Sequence, residues 1–200
     1  MRLRYCFGAM VVSLIKRLIR GFKDRRILRL PSRIFLETTV IPALAAAGRR
    51  RMLSVGTRSY NRALYQRCRA EGIAVWSIDL DPAAAVYGAP AGHFVGSICD
   101  VDKLAAGQAF DAIIFNGVLG WGVNTPEDAL TALAAIGKVA TTDALMFIGW
   151  NPGKTDGAEV AAIRARLTPL ALGAIPQEIE FPPLGAAQRF PHRYELFSLA

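Results

Sequence analysis

Arg51-Met-Leu-Ser-Val-Gly56 is a short apolar run that ends in glycine, and Ile73-Ala-Val-Trp-Ser-Ile-Asp79 is a second one that ends in a carboxylate. Between them, residues 60–71 place Ala63, Leu64, Arg67 and Cys68 at helical spacing, and Gly72 stops the pattern. A strand, a helix and a second strand in that order form a βαβ unit, whose two strands run parallel. The rest of the chain continues this alternation. His93-Phe-Val-Gly-Ser-Ile98, Phe110-Asp-Ala-Ile-Ile-Phe115 and Ala144-Leu-Met-Phe-Ile-Gly149 read as a third, fourth and fifth strand. The fourth is apolar on both faces, as a strand buried in a parallel sheet requires.

Helices are expected over 34–47 with a kink or restart at Pro42, over 126–139 and over 158–167, with a short piece at 82–86 and a brief connection at 104–107. Pro126 suits a first helical turn, where Glu127 and Asp128 oppose the helix dipole. Residues 178–181 and 194–199 are the last strand candidates. The pattern is α/β, with a doubly wound, mostly parallel sheet and helices on both sides. Ligands of such sheets bind outside the carboxyl ends of the strands, where strand order reverses. The loops after strands one to four are therefore the candidate site.

Charge divides the chain unevenly. The 200 residues carry a formal net charge of +8, from 24 Lys and Arg against 16 Asp and Glu. Residues 1–51 hold 13 of the cations and two of the acids, which leaves 11 cations against 14 acids in residues 52–200. The body is faintly acidic and the leader strongly basic. In residues 5–22, Phe7, Met10, Val11, Leu14, Ile15, Leu18, Ile19 and Phe22 form one apolar stripe at helical spacing, with Lys16, Arg17, Arg20 and Lys23 mostly off it. The division expected is a basic amphipathic leader helix over 1–33 and an α/β domain over 34–200. Such a helix can pack on the domain, or lie in an anionic membrane surface as a peripheral contact of residues 1–30. Nucleic acid is not expected as a partner, because aromatic residues are not interleaved with the cations.

An apolar share of 52% excludes intrinsic disorder. No apolar run approaches the length of a spanning helix. Cys6, Cys68 and Cys99 are scattered without a CxxC pair, and only His93 and His192 accompany them, so neither a zinc site nor a disulfide scaffold is expected. A reducing, cytoplasmic compartment is the default, extended to the inner face of the membrane if the leader binds lipid.

The four strand ends read Ser54-Val-Gly-Thr-Arg-Ser-Tyr-Asn61, Asp79-Leu-Asp-Pro82, Gly96-Ser-Ile-Cys-Asp100 and Asn116-Gly-Val-Leu-Gly-Trp121. Their order and spacing resemble the class I S-adenosylmethionine-dependent methyltransferases, over roughly residues 34–200 and most strongly over 50–150. The resemblance implies a Rossmann-like, mostly parallel seven-stranded sheet with an antiparallel last strand at 194–199. It implies S-adenosylmethionine as cofactor. Gly56 matches the family's first glycine, where the backbone approaches the amino-acid part of that cofactor. Thr57, Arg58 and Tyr60 follow in the same loop, and Arg58 and Tyr60 stand where later glycines are usual. Asp79 matches the acid that grips both ribose hydroxyls, a task suited to a group that accepts two hydrogen bonds side by side. Leu80 would lie against the adenine. Ser97 takes the place of an acid near the adenine amino group, with Asp100 as a substitute, and Ile98 follows. Asn116 and Gly117 would line the cofactor at the end of strand four. Metal ligands are not expected.

Methyl transfer is an in-line displacement, and holding the reactants in line supplies much of its acceleration. A general base is needed only for acceptors that must lose a proton. Trp121 is the candidate wall of an acceptor pocket, against the alternative of a core or lid tryptophan. His93 precedes strand three, away from the crevice, and His192 lies just before the last strand. The late insertion at 182–191 is a loop, so only the leader and the 34–47 helix are expected to cover the site. That leaves a shallow, open site, which suits a bulky, carrier-bound or membrane-associated acceptor, and the acceptor that the resemblance implies is a small molecule, a glycan or a lipid-linked intermediate. Arg58 is read two ways, as a partner for the methionine carboxylate or as a surface arginine. The departures at Arg58 and Tyr60 also support an alternative reading, a non-catalytic methyltransferase-like binding module with weakened or lost cofactor binding. A dinucleotide oxidoreductase would need GxGxxG at the first turn, and only Gly56 is present.

Overall fold

The sheet is ordered β3-β2-β1-β4-β5-β8, with β6 and β7 sharing the outer edge of β8. This computed structural model describes residues 24–185 and 188–199, so the expected amphipathic helix at 5–22 lies outside the described residues. The strands are β1 (Arg51–Val55), β2 (Ala74–Asp79), β3 (Gly92–Val95), β4 (Phe110–Asn116), β5 (Ala140–Trp150), β6 (Thr168–Pro169), β7 (Glu178–Phe181) and β8 (His192–Ser198). The first five are parallel, and β8 runs antiparallel to β5. Because β6 pairs with the end of β8 and β7 with its start, the two act as one edge strand. Residues 170–177 leave that edge and return to it, and Leu196 hydrogen-bonds to both sides of the excursion. The sheet is thus effectively seven strands wide.

Alternation along the strands sorts the core into two layers. Leu53, Val55, Ile113 and Phe115 face one side, against Ala129, Ala132 and Ile136 of α4 (Pro126–Gly137) and Val160 and Ile163 of α5 (Ala158–Arg164). Met52, Ala112 and Ile114 face the other, against Leu36, Val40 and Leu44 of α1 (residues 31–46) and Leu64 and Cys68 of α2 (Asn61–Ala70). A period of two in the strands and of three to four in the helices produces the three layers. The one-turn helix α3 (Val101–Leu104) adds Val101 to the first layer.

Helix α1 comprises Pro31–Phe35, a π-helical turn at Leu36–Val40 and Ile41–Ala46. Pro42 has no N–H to give the carbonyl four residues back. The helix widens by one residue ahead of it, and the Ile41 N–H donates to the Leu36 carbonyl five residues back. The kink expected at Pro42 is therefore absorbed in a bulged but continuous helix. The expected boundary at 33/34 falls inside it, and Ser32 and Arg33 are buried.

Three further elements differ from expectation. β3 ends at Val95, and Ile98 sits in a 3-10 turn, Ile98–Asp100. The Ser97 hydroxyl accepts the Cys99 N–H at 3.1 Å and caps that turn, which ends the strand early. The piece at 82–86 is a 3-10 helix, Pro82–Tyr87, because the Asp81 carboxylate caps its start at Ala83 N. β6 had no signal in the sequence, being two exposed residues defined only by their partner.

Candidate functional site

The order β2-β1-β4 reverses direction between β1 and β4, and both strands end at the same level. Gly56 after β1 and Asn116 and Gly117 after β4 flank that point. Gly56 has φ +81°, a conformation costly for any residue with a Cβ. Arg58 and Tyr60 need no such conformation, since no described non-glycine residue has positive φ. The loop is reshaped rather than strained, and Tyr60 is already in the right-handed helical region at the start of α2.

Two cavities open here. The smaller, about 320 Å³, is lined by Asp79, Leu80, Asp81, Ser97 and Ile98 from the ends of β2 and β3. The larger, about 830 Å³, is lined by Thr57, Tyr60 and Asn116, and by residues of α1, the β5 end and the β7–β8 loop. Val55, Gly56, Arg58, Gly117 and Trp121 line both, so the two form one crevice across the reversal point. Every residue singled out as a cofactor or acceptor contact from the sequence lines this crevice except Asp100. It pairs with Lys103 at 2.6 Å on the surface, while Asp81 lines the smaller cavity.

Asp79 is the electrostatic centre of the smaller cavity. Its carboxylate is buried, and one oxygen accepts the Thr57 N–H at 2.6 Å and the Arg58 guanidinium at 2.8 Å. The other accepts the Asp81 N–H at 2.9 Å. Three of roughly four lone-pair positions are therefore used. Arg58 has a partner that neither reading from the sequence named. It covers Asp79 with a side chain still 57% exposed, and an exposed partner of this kind is readily displaced. Leu80 projects into solvent at 68% exposure, an apolar surface with nothing yet against it. Trp121 is likewise 67% exposed, which removes the core alternative, and Lys154 Nζ sits 4.6 Å from its ring centroid.

At the floor of the larger cavity, Asn116, Gly149 and Tyr194 lie side by side across β4, β5 and β8. The Asn116 amide crosses over Gly149 to reach the Tyr194 hydroxyl at 3.4 Å. A Cβ at position 149 would overlap Asn116 Oδ1 and lie 2.6 Å from Tyr194 Cε1, so this crossing requires glycine. His192 joins the same network. Asn151 Nδ2 donates to the Pro191 carbonyl at 2.8 Å and to His192 Nδ1 at 3.1 Å. The proton of the neutral ring is then on Nε2, which donates to Asn116 Oδ1 at 3.1 Å. Burial, reinforced by the Arg33 charge, pushes the His192 pKa down to about 4. A neutral His192 whose lone pair is already occupied holds Asn116 in place and does not accept a proton. Burial also raises the Tyr194 and Tyr60 hydroxyls above their ordinary values.

The wall facing this floor was not anticipated in the sequence. Arg33 is buried, bound to Glu37 at 2.8 Å and to the Tyr60 carbonyl at 3.4 Å. Its guanidinium lies 5.2 Å from the Tyr60 ring centroid. Gln188 anchors the 182–191 loop through the Pro182 carbonyl at 3.1 Å, and Ser32 reaches Gln188 at 3.5 Å. The loop therefore covers the cavity with Gln188, Arg189 and Phe190, a task expected only of the leader and the 34–47 helix. The one legible signal was Trp150-Asn151 at the carboxyl end of the fifth strand, beyond the four loops considered. His93 stays away from the crevice, its Nδ1 2.8 Å from the Ser77 hydroxyl. Among the described residues, no group of three or more His, Cys, Asp or Glu is placed to hold a metal, and no helix is long and apolar enough to cross a membrane.

No family model matches the chain, and no curated protein matches it in sequence. Solved structures do match. The N-methyltransferase NodS from Bradyrhizobium japonicum, in complex with S-adenosyl-L-homocysteine, superposes with a TM-score of 0.61 at 13% identity, covering 89% of this chain and 96% of that one. A TehB-like SAM-dependent methyltransferase from Corynebacterium glutamicum gives 0.54 at 20% identity, covering 78% and 86%. The 1,6-didemethyltoxoflavin-N1-methyltransferase of Burkholderia thailandensis, with its substrate and S-adenosylhomocysteine bound, gives 0.53 at 18% identity, covering 96% and 89%. Sheet order, the antiparallel β8, the crevice at the reversal point and these likenesses together show that the chain has the fold of the class I S-adenosylmethionine-dependent methyltransferases.

Proposed function

We propose that this chain is an S-adenosylmethionine-dependent methyltransferase acting on a small-molecule acceptor. The observation that carries the reading is the Asp79 carboxylate at the end of β2, buried and aimed into a cavity continuous with a second, larger one. The smaller cavity fits an adenosine and the larger one the methionine portion with an acceptor beside it. Structures of the same fold that hold S-adenosylhomocysteine support the assignment. When bound, the cofactor supplies an electrophilic methyl group. Asp79 would take the ribose hydroxyls, with Arg58 swinging off its carboxylate. Leu80 and Ile98 would enclose the adenine, and Ser97 would meet its amino edge. Gly56 lets the backbone approach, and Thr57, Tyr60, Asn116 and Gly117 would line the methionine portion. The His192–Asn116–Tyr194 network keeps the floor rigid, which preserves alignment of the reacting groups. Trp121 would form the acceptor wall.

Calorimetric titration with S-adenosylmethionine and S-adenosylhomocysteine tests this. Micromolar binding that is lost in Asp79→Ala is expected. A folded protein that binds neither at millimolar concentration rejects the reading. It would favour the second one, a binding module without catalysis, which the occupation of Asp79 by Arg58 supports. A reducing, cytoplasmic compartment remains the proposed location, with Cys68 and Cys99 as free thiols among the described residues. The basic leader is proposed to contact anionic lipid at the inner face of the membrane. Binding to anionic vesicles that is lost in high salt, and lost on deletion of residues 1–30, tests that point.

A further inference from the structure

The larger cavity is lined by Arg33, Arg58, Lys154 and Arg189 and by no Asp or Glu. Arg33 and Arg58 have carboxylate partners in Glu37 and Asp79. Lys154 and Arg189 have none among the described residues, and each instead stands over an aromatic ring, Lys154 over Trp121 and Arg189 over Phe190. These two pairs are neighbours. The Cβ position of Gly120 lies 3.4 Å from Lys154 Cγ, and that of Gly153 lies 3.4 Å from Phe190 Cδ1. The turn after β4, the loop after β5 and the β7–β8 loop therefore join into one rim, with two uncompensated cations above aromatic faces. The body behind this rim carries a slight excess of acids, so the local positive charge is a property of the rim.

Among the described residues, no lining side chain offers a lone pair suited to removing a proton near neutral pH. There is no carboxylate, the His192 lone pair is held by Asn151, and the tyrosine hydroxyls stay protonated. A nucleophile used here must arrive without a proton to lose.

Resting on the methyltransferase reading, we propose that the acceptor is a small planar organic acid, bound as its anion by Lys154 and Arg189 with its ring against Trp121 and Phe190. An anion meets both constraints. Its charge answers the rim, and its oxygen already carries the lone pair. In the transfer, that lone pair forms the new bond to the methyl carbon. The carbon–sulfur bonding pair leaves on sulfur, the anion and the sulfonium neutralise one another, and no proton moves. Trp121 and Phe190 lie beside the two cations, so a ligand that carries both a ring and a negative charge can meet an aromatic surface and a cation together.

Benzoate, benzamide and benzylammonium share one ring and differ in charge. Each is titrated into the full chain saturated with S-adenosylhomocysteine. Benzoate is expected to bind about tenfold more tightly than benzamide, since two exposed cations contribute a few-fold each, and benzylammonium more weakly still. The benzoate preference should shrink with added salt. In Lys154→Gln/Arg189→Gln it should fall to the level of benzamide with the unfolding midpoint kept. Equal binding of the three, a preference for benzylammonium, no binding of any, or an unchanged benzoate preference in the double variant overturns the proposal. If S-adenosylhomocysteine fails to bind, the methyltransferase reading falls. The same three probes on the free protein then still decide whether the rim selects an anion.

Discussion

Removing the Asp79 carboxylate should cost stability and cofactor affinity by separable amounts. In Asp79→Ala three donors lose their acceptor. Thr57 is fully buried, so its N–H is left without a partner, at about 1–3 kcal/mol. The Arg58 guanidinium is more than half exposed and Asp81 is exposed, so water replaces the lost acceptor at both. Those two together contribute no more than about 1 kcal/mol. The total is about 1–4 kcal/mol, which for a chain of this size lowers the unfolding midpoint by roughly 2–16 °C. On the cofactor side, two ribose hydroxyls lose hydrogen bonds to a charged acceptor. At about 1.5–3 kcal/mol each, affinity for S-adenosylhomocysteine should drop by about a hundredfold or more. Circular-dichroism melting gives the first quantity and calorimetric titration of the folded variant the second. An unfolding midpoint unchanged within about 1 °C would refute the role of Asp79 in joining the two loops. Retained affinity in a folded variant would refute its place in the cofactor site.

Three other outcomes follow from the same geometry. Arg58→Gln removes a competitor for Asp79, so S-adenosylhomocysteine should bind about two- to fivefold more tightly. A tenfold loss would instead mean that Arg58 holds the methionine carboxylate. Gly149→Ala should destabilise the fold by about 1–3 kcal/mol, because the new Cβ displaces the Asn116 amide from Tyr194. A wild-type melting curve with the network intact would contradict that reasoning. Folding keeps His192 neutral from its ordinary 6.5 down to about 4, whereas the unfolded chain takes up a proton below 6.5. Stability should therefore fall as pH drops through that window and level off below it, by up to about 3 kcal/mol. His93, also pushed down by burial, acts in the same direction. The comparison of urea unfolding in wild type and His192→Asn isolates the His192 part, and parallel pH dependences of the two would disprove it.

Much of the architecture is legible in the chain itself. The runs ending in Gly56, Asp79 and Asn116 mark strand ends because a buried parallel strand must be apolar on both faces and must stop where the backbone turns. Right-handed crossovers then put helices on both faces, and the crevice lies at the carboxyl ends of the strands. These are local rules, readable along the sequence. Three things are not local. The two-residue β6 exists only because β8 offers it an edge. Arg58 turns toward Asp79 because folding brings residues 58 and 79 to the same strand level. The rim of Lys154 and Arg189 and the His192–Asn116–Tyr194 floor gather residues from two loops and two strands, far apart in the chain. Periodicity along the chain was enough for the layers, because it acts over a few residues, and the family resemblance singled out Asp79. Only the tertiary structure decided which charges meet across the crevice, because electrostatic partnership depends on distance in space and not on spacing in the chain.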